Sequence, residues 1–431
     1  MCIHDENLVI SSNSLWHPDD QTKPTARAPG ATDLYRPDVL DTIEAKIREL
    51  NAELRVLSLD IHAHPELKFE EHYAHDVYTA FMEKHGFKVE RKYHLETAWK
   101  ATYAHGSGGR TIGVNSEMDA LPGIGHACGH NLIGMSGVAV ALAIKAALEK
   151  HDIPGNISLL GTPAEEGDIG KVMLFEKGAY ADMDVCLMCH PAPGPVGSVS
   201  LSSCLAVRQI TVEYKGHTAH AALSPWEGIN ALDAAVLGYN NISVLRQQIK
   251  PTHRIHGIFV GKDWAPNIIP DYAKFICMIR APTRSEMLET VKRVVPCFEA
   301  AALATGCEVT MTVDFEAFDL RQNTTLGSEV ANIVLNKYGD IDYEWGISKA
   351  STDFGNITYE LPSLHPGFAI PSIKNGGNHT AAFTKAAFTI EAHDAALDVS
   401  KALAQTAIRV LTDDKFFEEV KRTFEEDKKH R

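Results

Sequence analysis

Apolar residues along the chain follow two rhythms. Val39, Leu40, Ile43, Ile47 and Leu50 recur at threes and fours, continue through Leu54, Leu57 and Ile61, and predict a helix that stops before Pro65. A second helix is predicted over 75–85, carrying Val77, Ala80 and Phe81 and ended by Gly86. Short apolar runs at 111–116, 157–161 and 185–189 read as buried strands, each followed by a polar loop. Helices are predicted between them, over 133–150 and 171–180. Strand, polar loop, helix, strand is the sequence form of an α/β sheet. Near residue 203 the texture changes. Alternation over 207–214, a helix growing out of Pro225, strands over 256–260 and 273–280, a helix over 284–304 and a strand over 307–313 give a β-α-β-β-α-β order. That order is the ferredoxin-like arrangement, here inserted into the first domain. After Phe318 the α/β character returns and closes with a helix over 392–411. Residues 415–431 read as a charged, solvated helix or a fraying tail, and the run 338–355 has no period that classifies it. Residues 1–36, polar and broken by Pro18, Pro24 and Pro29, read as a disordered arm. The expected domains are 37–202 with 317–431, and an insert at 203–316.

Composition narrows the class. A chain of 431 residues, 45% apolar and 23% charged, is an ordinary globular protein of two or three domains. A net charge of -15 argues against nucleic acid or an anionic membrane surface as partner. No uninterrupted apolar run approaches the roughly 20 residues of a membrane span, so no membrane association is expected. The N-terminus has no basic region followed by an apolar core, and the eight cysteines are scattered. Reduced thiols and a cytoplasmic location are the expectation.

The chemistry centres on Gly125-His126-Ala127-Cys128-Gly129-His130-Asn131, where small residues interleave strong metal ligands. In extended backbone, Cys128 and His130 point to one face. Thiolate plus imidazole suits zinc. In α/β sheets ligands bind beyond the carboxyl ends of strands, and each predicted strand here has candidates at that end: Asp119, then Glu165 and Glu166, then His190. His379 follows in Gly377-Asn378-His379-Thr380 at the start of a helix. Singly, each has an ordinary reading as a solvated acid, a satisfied histidine or a cap. Together Cys128, His130, Glu166, His190 and His379 are five ligands, enough for two metals with a bridging solvent. Zn2+, one or two per chain, is the expected cofactor, with Mn2+ or Co2+ as alternatives for a mixed N/O/S site. Neighbouring side chains in a loop diverge, so one acid of the Glu165-Glu166 pair can bind metal while the other faces substrate.

Seven ordered motifs carry a resemblance: Met118-Asp119-Ala120-Leu121-Pro122, His126-Ala127-Cys128-Gly129-His130, Pro163-Ala164-Glu165-Glu166-Gly167, Cys189-His190-Pro191, Ala219-His220 followed by Gly228-Ile229-Asn230-Ala231, Asn267-Ile268-Ile269-Pro270, and Gly377-Asn378-His379-Thr380. From about residue 40 to 412 the chain resembles metallopeptidase family twenty, which includes aminoacylase, carboxypeptidase G and amino-acid-conjugate amidohydrolases. Cys128 is similar to the amidohydrolase branch. Asn131, where that branch often has aspartate, and Ser351-Thr352-Asp353-Phe354-Gly355 are similar to the animal branch that splits β-alanyl and related dipeptides with basic residues. The resemblance implies a zinc-peptidase-like catalytic α/β domain with an inserted ferredoxin-like α+β domain that dimerises and acts as a lid. It also implies roles: Glu165 as general base, Glu166 as ligand with Cys128, His130, His190 and His379, and Asp119 orienting a ligand. His220 would polarise the scissile carbonyl, and Asn267 and Arg280 would bind the substrate carboxylate. The expected activity is metal-dependent hydrolysis of a small dipeptide or N-acyl amino acid by a homodimer. A biosynthetic member acting on one metabolite amide and a non-catalytic binding relative are the alternatives. The second is disfavoured because neither Glu165 nor a ligand is lost.

Overall fold

A computed structural model describes residues 31–431. Two compact units divide them: Gln209–Pro282 with Glu286–Thr312, and the remainder, including Thr283–Ser285 and Val313–Arg431.

The larger unit opens with α1 (Pro37–Ala63) and α2 (His72–Lys84). It continues through β1 (Lys88–Arg91), β2 (Trp99–His105), β3 (Thr111–Glu117), α3 (His130–His151), β4 (Gly155–Thr162), α4 (Gly170–Glu176), β5 (Val185–Leu187), β6 (His190–Pro193) and β7 (Ser198–Ser200). The apolar stripe foreseen on α1 is the buried one: Val39, Leu40, Ile43, Ile47, Leu50, Leu54, Leu57 and Ile61 all face the core. α3 is buried nearly all round, as a helix between a sheet and other helices must be. It approaches β3 so closely that a Cβ on Gly137 would lie 2.3 Å from Ser116 Oγ. By length and composition α3 is apolar enough to span a bilayer, but its apolar surface is spent on the protein interior.

The smaller unit is built on β8 (Ala206–Lys215), α5 (Ala231–Leu245), β9 (Arg254–Gly261), β10 (Tyr272–Ala281), α6 (Arg284–Thr305) and β11 (Glu308–Ala317). Its four strands lie in the order β11-β8-β10-β9, with β9 and β10 antiparallel from Arg280↔Arg254 to Ala273↔Gly261. α5 begins six residues later than Pro225; a 3₁₀ turn at Pro225–Glu227 comes first, and the Asn230 side chain caps α5.

The larger unit resumes with α7 (Thr324–Lys337), β12 (Asp340–Asp342), α8 (Phe354–Glu360), β13 (Ser363–Leu364), β14 (Gly367–Ile370), α9 (Ala381–Ala387), α10 (Ile390–Thr412) and α11 (Asp414–Lys428). Its main sheet has the order β1-β2-β4-β3-β5-β13, with β4, β3, β5 and β13 forming its parallel part.

Three expectations are corrected. The strand predicted over 185–189 ends at Leu187, and His190 opens β6 in a second sheet, β12-β7-β14-β6, paired in parallel with Gly367 of β14. Pro191 and Pro193 have no N–H to donate, which suits them to an edge strand such as β6. Residues 414–428 form a helix with a solvated charged face, as one of the two readings has it, but the opposite face is packed: Phe416, Phe417, Val420 and Phe424 recur at threes and fours and are buried. The expected arm lies outside the described residues up to residue 30. Residues 31–36 are tied down, the Thr32 N–H donating to Asn332 Oδ1 at 2.7 Å.

Candidate metal centre

The loop before α3 is shaped by Gly129, whose φ of +80° and 2.5 Å approach of a would-be Cβ to Pro191 Cγ leave no room for a side chain. It delivers Cys128 and His130 into the interior, both buried. Cys128 Sγ lies 3.4 Å from His190 Nε2. His190 Nδ1 is 2.8 Å from the Pro191 carbonyl, so Nδ1 carries the proton and Nε2 presents a lone pair toward the thiol. Asp119 Oδ1 does the same for His130, at 3.2 Å from Nδ1. Asp119 also accepts the backbone N–H groups of Glu165 (3.2 Å) and Glu166 (2.9 Å).

From the far end of the sequence, His379 lies 3.2 Å from Glu166 Oε2 through Nε2. Its backbone is left-handed, φ +65°, and its N–H donates to the Ala127 carbonyl at 2.8 Å, so this turn lies on the Cys128 loop. The ligand atoms of Cys128, His130 and His190 fall within 4.8 Å of one another, and so do those of Cys128, Glu166 and His379. All five sequence-predicted ligands are therefore brought together in two overlapping sets that share one sulfur. Glu165 joins His130 and Glu166 in a third such set.

The electrostatics suit a cation. Buried His130 Nε2 and Glu166 Oε1, 3.8 Å apart, make no hydrogen bond within the described residues. Buried polar atoms without partners are rare and costly. Burial opposes a charge on His130, but Glu117 and Asp119 outweigh it and raise its pKa well above the ordinary imidazole value. Burial, with Glu166 next, pushes the Cys128 thiol up, and burial, with Glu117 and Glu166, pushes the Glu165 carboxyl up. A site that gathers protons onto its ligands is one where positive charge is wanted, and a divalent cation supplies it while releasing those protons. The mixed S, N and O donor set fits zinc or a neighbouring transition metal.

Sequence reading passed over the charges behind these ligands. Glu117, buried at the end of β3, lies 3.4 Å from His130 Nε2 and 2.6 Å from Lys171 Nζ. Lys171 is fully buried, and its ammonium also meets Asp353 at 2.7 Å. Glu117, Glu165 and Asp353 present carboxylate oxygens within 4.8 Å of one another, so Lys171 is the countercharge that lets them coexist. A lysine in the first turn of a predicted helix carries no sequence signal for this.

The remaining predicted residues belong to the smaller unit. His220 is exposed; its Nδ1 accepts the N–H groups of Ala222 (3.2 Å) and Leu223 (3.1 Å), leaving Nε2 to face outward as a donor. The Asn267 carbonyl accepts the Ala221 N–H at 3.0 Å, so Asn267 and His220 share one loop cluster. Arg280 is not brought to them. It is the next-to-last residue of β10, eight residues beyond Tyr272, so roughly 27 Å of strand separates it from that cluster. Its Nε donates to His256 Nε2 at 3.3 Å.

Residues 113–406 match the model of Peptidase family M20/M25/M40. The chain belongs to this family. It is a metallopeptidase-family hydrolase of peptide or amide bonds. A human Xaa-Arg dipeptidase is 40% identical over 397 residues, covering 88% of this chain and 90% of its own. One of the p-aminobenzoyl-glutamate hydrolase subunits of Escherichia coli is 32% identical over 282 residues, 61% of this chain and 58% of its own. Among solved structures, a dinuclear metal-binding peptidase of the same family from Bacillus subtilis superposes with a TM-score of 0.65 at 19% identity, over 84% of this chain and 99% of its own. That likeness bears on the fold: an α/β domain carrying a second, inserted one.

Proposed function

We infer that the protein is a metal-dependent dipeptidase for small dipeptides with a basic C-terminal residue. The observation that carries this reading is the Cys128-centred pair of ligand sets beside Glu165, in a chain with a dipeptidase relative over most of its length. Cys128, His130 and His190 would hold one cation and Cys128, Glu166 and His379 a second, with zinc favoured by the thiolate. Such cations supply Lewis-acid polarisation of the amide carbonyl and of a water. Glu165 takes the proton from the attacking water and returns it to the leaving amine. Asp119 fixes the tautomer of His130 and, through two backbone N–H groups, the placement of the acid pair. The outward Nε2–H of His220 donates to the developing oxyanion.

His220 and Asn267 serve the site of a partner chain in this reading, and Arg280 clamps the substrate carboxylate of another. Their separation along β10 supports a division between two chains. Homodimerisation through the smaller unit is in keeping with its exposed apolar side chains, Leu223, Trp226, Val244 and Ile258. A reducing, cytoplasmic compartment fits a centre built on a thiol, and none of the seven cysteines among the described residues forms a disulfide.

The test is chromatographic. Metal-reconstituted protein is offered Xaa-Arg, Xaa-Lys and Xaa-Glu dipeptides, their C-terminal amides, and N-acyl glutamates. Cleavage of the basic dipeptides, abolished by chelator and weakened by amidation, is expected. Preferential cleavage of N-acyl glutamates, or activity indifferent to chelator, overturns the reading.

A further inference from the structure

Three consecutive backbone N–H groups, those of Ala164, Glu165 and Glu166, donate to two carboxylates of the interior. Asp119 takes the second and third. Glu71 takes the first: the Ala164 N–H donates to its Oε1 at 2.9 Å, while Oε2 accepts the Thr97 hydroxyl at 2.7 Å. Glu71 and Thr97 are buried, and Ala164 is fully so. Ala164 is also left-handed, at φ +59°, a conformation disfavoured by its Cβ that needs outside support to persist. Successive N–H groups around a left-handed residue form an anion-binding concavity. Here the anions are side chains of the protein itself.

We propose that Glu71 is a positioning residue for the hydrolysis: by holding the Ala164 N–H it fixes the turn that sends Glu165 and Glu166 to different tasks. The proposal rests on the division of roles between those two acids given above. Asp119 cannot take over, because its Oδ1 already meets Glu165 N–H and His130, and its Oδ2 meets Glu166 N–H. With Glu71 out of reach, the Ala164 N–H is buried without an acceptor. The backbone then relaxes toward a right-handed conformation, which swings the Cα–Cβ bond of Glu165. Burial pushes the Glu71 carboxyl up to about 7 against the pull of Thr97, with Asp119 adding to the rise. In either protonation state a carbonyl oxygen remains for Ala164, so the function depends on reach and not on charge.

That distinction sets the experiment. Glu71→Gln keeps the reach and loses the charge, its amide N–H donating to Thr97 Oγ1. Glu71→Asp keeps the charge and loses one methylene of reach. In metal-reconstituted enzyme, Glu71→Asp is expected to lower kcat at least fivefold, with KM and metal content within twofold of wild type. Glu71→Gln is expected to retain at least half of kcat. Hydrogen exchange, read by mass spectrometry on peptides ending inside 163–167, gives a measure that needs no substrate: the Ala164 amide should exchange at least tenfold faster in Glu71→Asp and at the wild-type rate in Glu71→Gln. Equal behaviour of the two variants, or a loss in Glu71→Asp that tracks lost metal or melting temperature, overturns the proposal. If wild type cleaves no dipeptide, the assigned function fails, and the exchange comparison alone decides the role of Glu71.

Discussion

Lys171 grips Asp353 at both ends of the residue: its ammonium meets Oδ1 at 2.7 Å and its own backbone N–H donates to Oδ2 at 2.9 Å. The first turn of α4 is thereby locked to the start of α8. The same ammonium neutralises Glu117, which faces His130. Removing one partner of a buried pair leaves uncompensated charge and costs about 3–5 kcal/mol. Lys171→Met should therefore lower the melting temperature by several degrees or more. Lys171→Met combined with Asp353→Asn and Glu117→Gln should recover part of that loss, because no unpaired charge remains. Calorimetry of the single and triple variants checks this. A single variant as stable as wild type would refute the role of the lysine as countercharge.

The two adjacent glutamates should fail differently. Glu165→Gln should keep the metal and the fold while lowering kcat roughly a hundredfold or more, the usual contribution of a general acid–base group. Glu166→Gln should weaken metal binding, since His379 and Cys128 lose the third member of their set. Elemental analysis beside steady-state kinetics separates the two. Equal metal loss in both variants would show the division of roles to be wrong.

Acid should withdraw the stability that three buried histidines contribute. Burial, helped by the nearby Arg55 charge, lowers the His393 pKa to about 4, and burial lowers His126 and His365 to about 3. A histidine whose folded pKa lies below its unfolded value binds fewer protons when folded. Its contribution is whole above pH 6.5 and is lost as pH falls toward the folded value, at about 1.4 kcal/mol per pH unit for each group. Urea midpoints measured on chelator-treated protein should drop between pH 7.5 and 5.5. His393→Gln, if its amide keeps the bond to Asn51, should flatten that drop. A midpoint that is constant over this range would contradict the burial argument.

The placement of His220 is open to a mixing experiment. Glu165→Ala and His220→Ala, each inactive, are refolded together in equal amounts. Half of the dimers are then mixed, and each has one intact site if His220 acts across the dimer, so about a quarter of wild-type activity should return. Mixed dimers, verified by mass spectrometry, that remain inactive would place His220 over the site of its own chain.

What the sequence made legible was local. Cys128 and His130 are two residues apart, Glu166 and His190 follow strand ends whose apolar runs are plain to read, and His379 stands at the start of a helix. The helical stripes of α1 and α10 and the order of elements in the smaller unit were equally open, because periodicity is a property of neighbours. What escaped depends on contacts between distant segments. The Glu71–Ala164 bond spans 93 residues and the Lys171–Asp353 pair spans 182, and nothing near either residue marks it. The switch of sheet at His190 escaped for a similar reason. The apolar run 185–189 reads as one strand followed by a loop, and only the pairing with β13 and β14 ends the first strand at Leu187 and opens a second at His190. The amphipathic face of α11 was hidden by its many charges, which dominate its composition while four apolar side chains settle its packing.

β8 and β11, the strands by which the chain enters and leaves the smaller unit, are neighbours in one sheet. Points of departure and return that lie side by side need only a short turn to be rejoined. Cys128, His130, Glu166 and His190 before the insertion and His379 after it all come from the larger unit, so excising or exchanging the insert removes none of the candidate metal ligands. The candidate metal centre and the insert are therefore separable inheritances. A lineage can replace the second, and with it the substrate contacts and quaternary partner proposed for it, without rebuilding the first.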